Sequence, residues 1–412
     1  MLGRSARAAV ARLAALVLSV KPLVDGLASP VRVVPVARDS AWSPAHWTAG
    51  QWGALRGLLD RVCRRAGVAG LTLSPTAVFD DLQVFERVVS DRLALADWMS
   101  SASMVPVDLL READEVVAEV MADSFDAFCH KETISSADGL PLNVYAAGQG
   151  DEVVVLIPAC GMPAVLAESW VRFLAADRRV LTWESRGLFG AAEHKDDFAF
   201  DIGSQVADLF TVMDHYGAIS AHVAGLCGGA VIALAAAADR PASISSLSLW
   251  HGAYFFADGG QKTEHQQNLT GLMADAARSR SAARAVHAAF CQVMLTATPA
   301  EAAHLVLYPY GSPELLYRYS RLNTGLTSVD VGQYLPMVKQ PALVVTSQDD
   351  ETVHPAASKR VAAGLPNACL RVEAHGDHIS LFSGGDKLLR MASQFITQHS
   401  DIPAMPHPLT SG

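Results

Sequence analysis

The sequence predicts an α/β protein built on a doubly wound, mostly parallel sheet. Three observations predict it. Between residues 132 and 253, short apolar runs alternate with amphipathic helical stretches, and strands that alternate with helices become parallel neighbours. The runs VVVLI (153–157) and ALVV (342–345) are apolar at every position, as strands buried on both faces are. The stretch HVAGLCGGA (222–230) places G-L-C-G-G between an apolar strand end and an alanine-rich helix, which is a sharp strand-to-helix turn at the end of a sheet.

The elements follow in chain order. In MLGRSARAAVARLAALVLSV, the arginines at 4, 7 and 12 interrupt the alanines at roughly helical spacing. A secretory signal keeps such charges out of its apolar run, so an amphipathic helix is expected. TAGQWGALRGLLDRVCRRAG (48–67) carries Trp52, Leu55, Leu58, Leu59 and Val62 at three- and four-residue spacing. Residues 74–99 and 106–129 repeat that period, each opening near a proline. Residues 1–131 are therefore expected as a helical extension. The texture then changes. LPLNVYAA (140–147), DEVVVLIPACGMP (151–163), RRVLTWES (178–185), ISSLSLWHG (244–252), QPALVVTSQDDETVHP (340–355) and ACLRVEAHG (368–376) hold the strands. Helices are expected at 164–176, 201–217, from the elbow to Asp239, and at 383–398. Residues 254–335 break the alternation and are helical, too long for a simple crossover. They are expected to insert into the core as a lid, which leaves the core as 132–253 plus 336–400. The tail 401–412 is expected to be disordered.

Composition bounds the partners. The chain has 412 residues, half of them hydrophobic, and a net charge of −10. An acidic balance excludes nucleic acid as the main partner, since phosphate binding needs a basic footprint. No run reaches the roughly 18 uncharged apolar residues of a membrane span. Six cysteines stand at 63, 129, 160, 227, 291 and 369 with no C-x-x-C pair. Neither a zinc site nor a disulfide framework is implied, and a reducing cytoplasm fits. His and Cys are not at ligand spacing, so no metal is expected.

The chemistry centres on Cys227. Gly225 and Gly229 flank it because side chains there would clash in so sharp a turn. The turn sets the thiol at a helix N-terminus, where backbone N–H groups and the helix dipole favour a thiolate. After ALVVT comes SQDDETVHP, where Asp350 is the candidate acid and Asp349 its neighbour. After CLRVEAHG comes Gly376-Asp377-His378, where His378 is the candidate base with His375 behind it. Nucleophile, acid and histidine in this order are those of the α/β-hydrolase fold. An oxyanion hole needs two donors. One should be the N–H of Gly228, and the other that of Met162 in the PACGMP loop. Of the remaining cysteines only Cys160 should lie beside this site; the others read as small buried hydrophobes. His375 and His251 read as supporting or surface groups, and the arginines of DRVCRRAG (60–67) as a solvated face.

A cysteine elbow has a thermodynamic meaning. Attack on an acyl thioester gives another thioester, so transfer from thiol to thiol conserves free energy, whereas a serine ester is a lower-energy stop. Transfer also requires that water be excluded.

The G-L-C-G-G elbow, the Asp350 and His378 loops, PACGMP and the helical extension resemble the free-standing, thioesterase-like aminoacyltransferases of nonribosomal peptide pathways, of the syringomycin and coronamic acid type. The fold-level likeness covers about 132–400. It implies that Cys227 carries an aminoacyl group between the phosphopantetheine arms of two carrier domains. It implies that His378 deprotonates the incoming thiol and that Asp350 orients His378. No bound cofactor is implied beyond the partner's phosphopantetheine. The acidic net charge departs from this picture, because carrier domains are acidic; the Arg-bearing N-terminal helices could supply a basic patch. Three alternatives remain open. A polyhydroxyalkanoate synthase shares the G-x-C-x-G elbow, with a Gly-Gly-His loop that Gly376-Asp377-His378 matches in part. A cysteine hydrolase of the dienelactone type would be shorter. An inactive binding protein would not be expected to keep all three triad elements.

Overall fold

The computed structural model describes residues 4–27, 29–36, 48–74, 79–96, 109–190, 198–376 and 378–400. The expected disorder at 401–412, and Asp377 of the histidine loop, lie outside the described residues. The chain forms two compact units, Met1–Cys129 with Arg280–Leu316, and His130–Ser279 with Tyr317–Gly412. The segment 254–335, expected as one insertion, thus divides between them.

The first unit is mainly helical. Helices Arg4–Gly26, Ala49–Ala66, Val84–Leu93 and Leu109–Ala122 bury apolar stripes that include Leu13, Val17 and Leu23, then Leu55, Leu59 and Val62, then Val89 and Leu93, then Val116 and Val117. Thr48 and Gln51 form a capping box, and Gly67 closes the same helix at φ 63°. The arginine-rich stretch is partly neutralised, because Arg61 and Arg65 both donate to Asp114 at 2.8 Å. Helix Arg280–Ala297 belongs to this unit by its apolar side, where Phe290 stacks on Tyr310 with ring centroids 4.9 Å apart. Two strands that no sequence pattern announced, β1 (Val31–Val33) and β2 (Leu71–Leu73), pair in parallel. Three residues each are too few to show a period.

The second unit holds an eight-stranded sheet. Its strands are β3 (His130–Ser135), β4 (Pro141–Ala147), β5 (Val153–Ile157), β6 (Arg179–Trp183), β7 (Ala221–Leu226), β8 (Ile244–Trp250), β9 (Ala342–Ser347) and β10 (Ala368–Glu373), in the order β10-β9-β8-β7-β5-β6-β4-β3. The pairs from β10 to β6 are parallel, and β3 and β4 run antiparallel. Strands β5, β7 and β9 are buried at every residue, as central strands covered on both faces are. Helices include Ile202–His215, Gly229–Asp239, Pro355–Gly364 and Asp386–Gln398. The chain leaves β5 toward β6 on one side, and later returns on the other side as β7. The carboxyl ends of β5 and β7 therefore flank a topological switch point, where open α/β sheets bind ligands. Cys227 and the PACGMP loop both sit there.

Candidate active site

Strand β7 ends at Leu226, and Cys227 takes φ 54°. A left-handed backbone at a residue with a Cβ costs on the order of 1–3 kcal/mol, and such strain gathers at functional sites. Cys227 is held on both sides. Its N–H donates to Trp250 O at 2.9 Å, and its carbonyl accepts from Ala230 N at 3.1 Å and from Ala253 N at 3.4 Å. The glycines differ in what they permit. A Cβ on Gly225 would lie 2.6 Å from Ala230 Cα, and one on Gly229 would lie 2.6 Å from Ile157 O. A Cβ on Gly228 would meet side chains and no backbone among its nearest neighbours, with Cys160 Sγ at 3.3 Å and Leu326 Cδ1 at 3.4 Å.

The acid and base loops bring Asp350 and His378 together. Asp350 lies in the loop after β9. Its Oδ1 accepts from the N–H groups of Thr352 and Val353 at 2.9 and 3.0 Å. Its Oδ2 accepts from His378 Nδ1 at 3.3 Å and from His251 Nδ1 at 2.8 Å. Burial alone would raise the acid's pKa. The hydrogen bonds from His251 and His378 outweigh burial and hold it well below the usual carboxylate range. Asp349 does other work. Its Oδ1 accepts from Gly376 N at 3.0 Å and its Oδ2 faces exposed His375 at 3.2 Å, which ties the acid loop to the histidine loop.

His378 opens the short helix His378–Ser383 and is buried. Burial by itself would lower its pKa, but the charge of Cys227 and hydrogen bonding to Asp350 and Cys227 push it up to about 10. Its Nε2 nevertheless has no partner in full hydrogen-bond geometry. The Cys227 contact is therefore a loose one, as catalytic contacts commonly are before substrate binds.

His251, read from sequence as a supporting or surface group, is 2 % exposed and adopts φ 47° just past the end of β8. Its Nδ1 donates to Asp350, and its Nε2 meets Ser347 Oγ at 3.3 Å. Among the described residues, His251, Asp350 and His378 also have the composition of a metal site, with ligand atoms within 4.8 Å of one another. Both Nδ1 atoms point their protons at one carboxylate oxygen, so the donor set suits a hydrogen-bonded acid–base relay better than a cation.

The loop after β5 is tightly turned. Gly161 has φ 84° and its N–H donates to Ser185 Oγ at 2.8 Å. The N–H of Met162 donates to Ala159 O at 3.1 Å. Met162 is thus placed beside the site with its amide already engaged in a turn. The N–H of Gly228 donates to no protein acceptor among the described residues. Cys160 lies against Gly228, and burial first, then the charge of Cys227, keeps its thiol protonated above the ordinary range.

Tyr254 was not singled out from sequence. It is 6 % exposed, and its hydroxyl has no partner among the described residues. Its ring folds over Gly252, where a Cβ would collide with Cζ and Oη. No motif marks Tyr254.

Comparison with known proteins bears on the fold. The sequence profile of the alpha/beta hydrolase fold family matches residues 152–385, more than half of the chain. The chain is similar to an L-allo-isoleucyltransferase from Pseudomonas savastanoi pv. glycinea, at 25% identity over 176 residues; the match covers 42% of this chain and 62% of that protein. It is also similar to a protein from Caulobacter segnis that bears the name carbamate hydrolase RutD, at 27% identity over 263 residues, or 60% of this chain and 92% of that one. The esterase RhEst1 from Rhodococcus sp. ECU1013 superposes with a TM-score of 0.53 at 21% identity, over 66% of this chain and 99% of the esterase. Sheet order, elbow and sequence profile together place the chain in the alpha/beta hydrolase fold family.

Proposed function

We propose that this chain is an acyltransferase that moves an acyl or aminoacyl group between phosphopantetheine thiols of carrier proteins. The observation that carries the reading is a cysteine at φ 54° on the elbow, within electrostatic reach of an imidazole bonded to a buried carboxylate. The similarity to an L-allo-isoleucyltransferase supports transfer. No helix among the described residues is long and apolar enough to cross a membrane, and six scattered cysteines with no C-x-x-C pair suit a reducing cytoplasm.

The mechanism is ping-pong. His378 Nε2 takes the proton of Cys227, and Sγ attacks the thioester carbon of the donor. The carbonyl oxygen becomes an oxyanion that the Gly228 N–H stabilises, with Met162 N–H contributing only if it leaves or shares its bond to Ala159. The carbon–sulfur bond to pantetheine breaks, and the leaving thiolate collects the proton from His378. A second pantetheine thiol then gives its proton to His378 and attacks, which restores Cys227. Asp350 fixes the ring and balances the imidazolium, and His251 fixes Asp350.

Hydrolysis by the same residues is the second reading, favoured by the RutD similarity over 92% of that protein. Intact mass separates the two. The chain, incubated with an aminoacyl-loaded carrier domain, is expected to gain an acyl adduct that a second holo carrier discharges and that Cys227→Ala abolishes. Release of free acid, with neither adduct nor transfer, would leave a hydrolase.

A further inference from the structure

The mechanism leaves one requirement unmet. A thioester carbonyl that becomes tetrahedral needs two donors on its oxygen, and the elbow supplies one, Gly228. In the loop after β5, Gly161 N–H is bound to Ser185 Oγ at 2.8 Å and Met162 N–H to Ala159 O at 3.1 Å. The N–H groups of Gly161 and of Met162, the residue expected to supply the second donor, are thus both engaged.

Another candidate stands in the segment that follows β8. Strand β8 runs into residues that wrap the elbow, because Trp250 O accepts from Cys227 N at 2.9 Å and Ala253 N donates to Cys227 O at 3.4 Å. Tyr254 follows at once. Its hydroxyl is buried and unpartnered, and a buried polar group without a partner calls for an explanation. Gly252 clears the space for its ring. We propose that the Tyr254 hydroxyl is the second oxyanion donor, so that the acyl oxygen is held between Gly228 N–H and Tyr254 Oη–H during attack by Cys227. Burial first, and then the charge at Cys227, hold the phenol above its ordinary pKa, so it keeps the proton it must share. No proton is transferred. The hydroxyl donates a hydrogen bond that strengthens as charge builds on oxygen.

This inference rests on Cys227 as the nucleophile, and it holds for transfer and hydrolysis alike. The test compares two reactions of the same thiol in the full chain. Acylation by an S-acetyl-N-acetylcysteamine thioester passes through an oxyanion; alkylation by iodoacetamide displaces iodide at a saturated carbon and does not. Tyr254→Phe is expected to slow acylation of Cys227 about 10²-fold or more, the usual cost of one oxyanion donor, and to leave alkylation and thermal unfolding close to wild type. Gly252→Ala, which displaces the ring, is expected to reproduce the acylation loss. Wild-type acylation in Tyr254→Phe would overturn the proposal and leave the nucleophile standing. Equal loss of acylation and alkylation would also overturn it, because the tyrosine would then act on the thiol and not on the oxyanion. A wild-type chain that is acylated elsewhere, with no effect of Cys227→Ala, would overturn the nucleophile itself and the proposal with it.

Discussion

The elbow glycines give the sharpest test of why the thiol stands where it does. The three flanking glycines look alike in sequence and differ in what an added methyl would strike. In Gly225→Ala the Cβ would lie 2.6 Å from Ala230 Cα, Ala230 N and Gly229 O. All are backbone atoms of the first turn of Gly229–Asp239, a helix whose first nine residues are all buried. In Gly229→Ala the Cβ would lie 2.6 Å from Ile157 O and 3.0 Å from Ile157 Cβ and Cγ2, in the central strand β5. Neither neighbour can yield without moving an element, and overpacking of this kind costs about 1–3 kcal/mol. Gly228→Ala meets two side-chain ends, Cys160 Sγ at 3.3 Å and Leu326 Cδ1 at 3.4 Å, and Gly228 already has helical φ of −60°. The smaller chain entropy of the unfolded alanine offsets part of that crowding, by about 0.4–1 kcal/mol. The expected order is therefore a loss near 2 kcal/mol for Gly225→Ala and Gly229→Ala, and a change within about 0.5 kcal/mol for Gly228→Ala. Urea unfolding midpoints measure it, with acylation of Cys227 as the second readout. Gly225→Ala should also lose acylation, because the helix that positions the thiol must tilt. Equal costs at Gly225 and Gly228, or no cost at Gly225, would refute the steric account of the elbow.

Asp350→Asn keeps the shape of the acid and removes its charge, so His378 is free to take the wrong tautomer; acylation is expected to fall by about 10⁴-fold in stopped-flow assays, with folding largely kept. His251→Ala removes the 2.8 Å donor from Asp350 and leaves a buried carboxylate short of one partner, at a cost of about 1–3 kcal/mol in urea unfolding and a smaller rate loss than Asp350→Asn. The pH dependence of stability follows from His378. Its folded pKa of about 10 lies above the unfolded value of 6.5, so its stabilisation is fully present below pH 6.5 and is lost as pH rises through about 10. Thermal unfolding from pH 6 to 10 should show the decline, and His378→Gln should flatten it.

The core was legible wherever one residue property had one cause. Strand β5 is buried on both faces, so its apolar run could mean little else in five residues. Strand β3 was not legible. It is the sheet edge, its side chains are exposed or half-buried throughout, and HKETIS carries no apolar alternation. The helix Arg280–Ala297 shows why unit boundaries stayed hidden. Its apolar stripe states that it packs, with Phe290 and Cys291 buried, but a stripe at period 3.6 names no partner. Only the folded chain assigns it to the unit of the N-terminal helices.

The candidate site divides along the same line. Cys227, Asp350 and His378 could be singled out as candidates because each stands in a turn after a strand with glycines or acids beside it, and such turns are written in neighbouring residues. His251 and Tyr254 depend on something else. His251 has no glycine to announce its φ of 47°; it is held there because its ring is bonded to Asp350, 99 positions away in sequence. Tyr254 gains meaning only from what lies across the elbow: Gly252 makes room for its ring, Ala253 N–H binds Cys227 O, and Met162 N–H is spent on Ala159. Residues that generate a reactive group thus leave local signatures, while residues that hold the acid or receive the developing charge are fixed by contacts between strands. A triad motif alone would therefore predict that substituting β8-end residues leaves chemistry intact. The structure predicts the opposite: His251→Ala and Tyr254→Phe should separate into a loss on the acid and a loss on the oxyanion. Only the second should spare alkylation of Cys227.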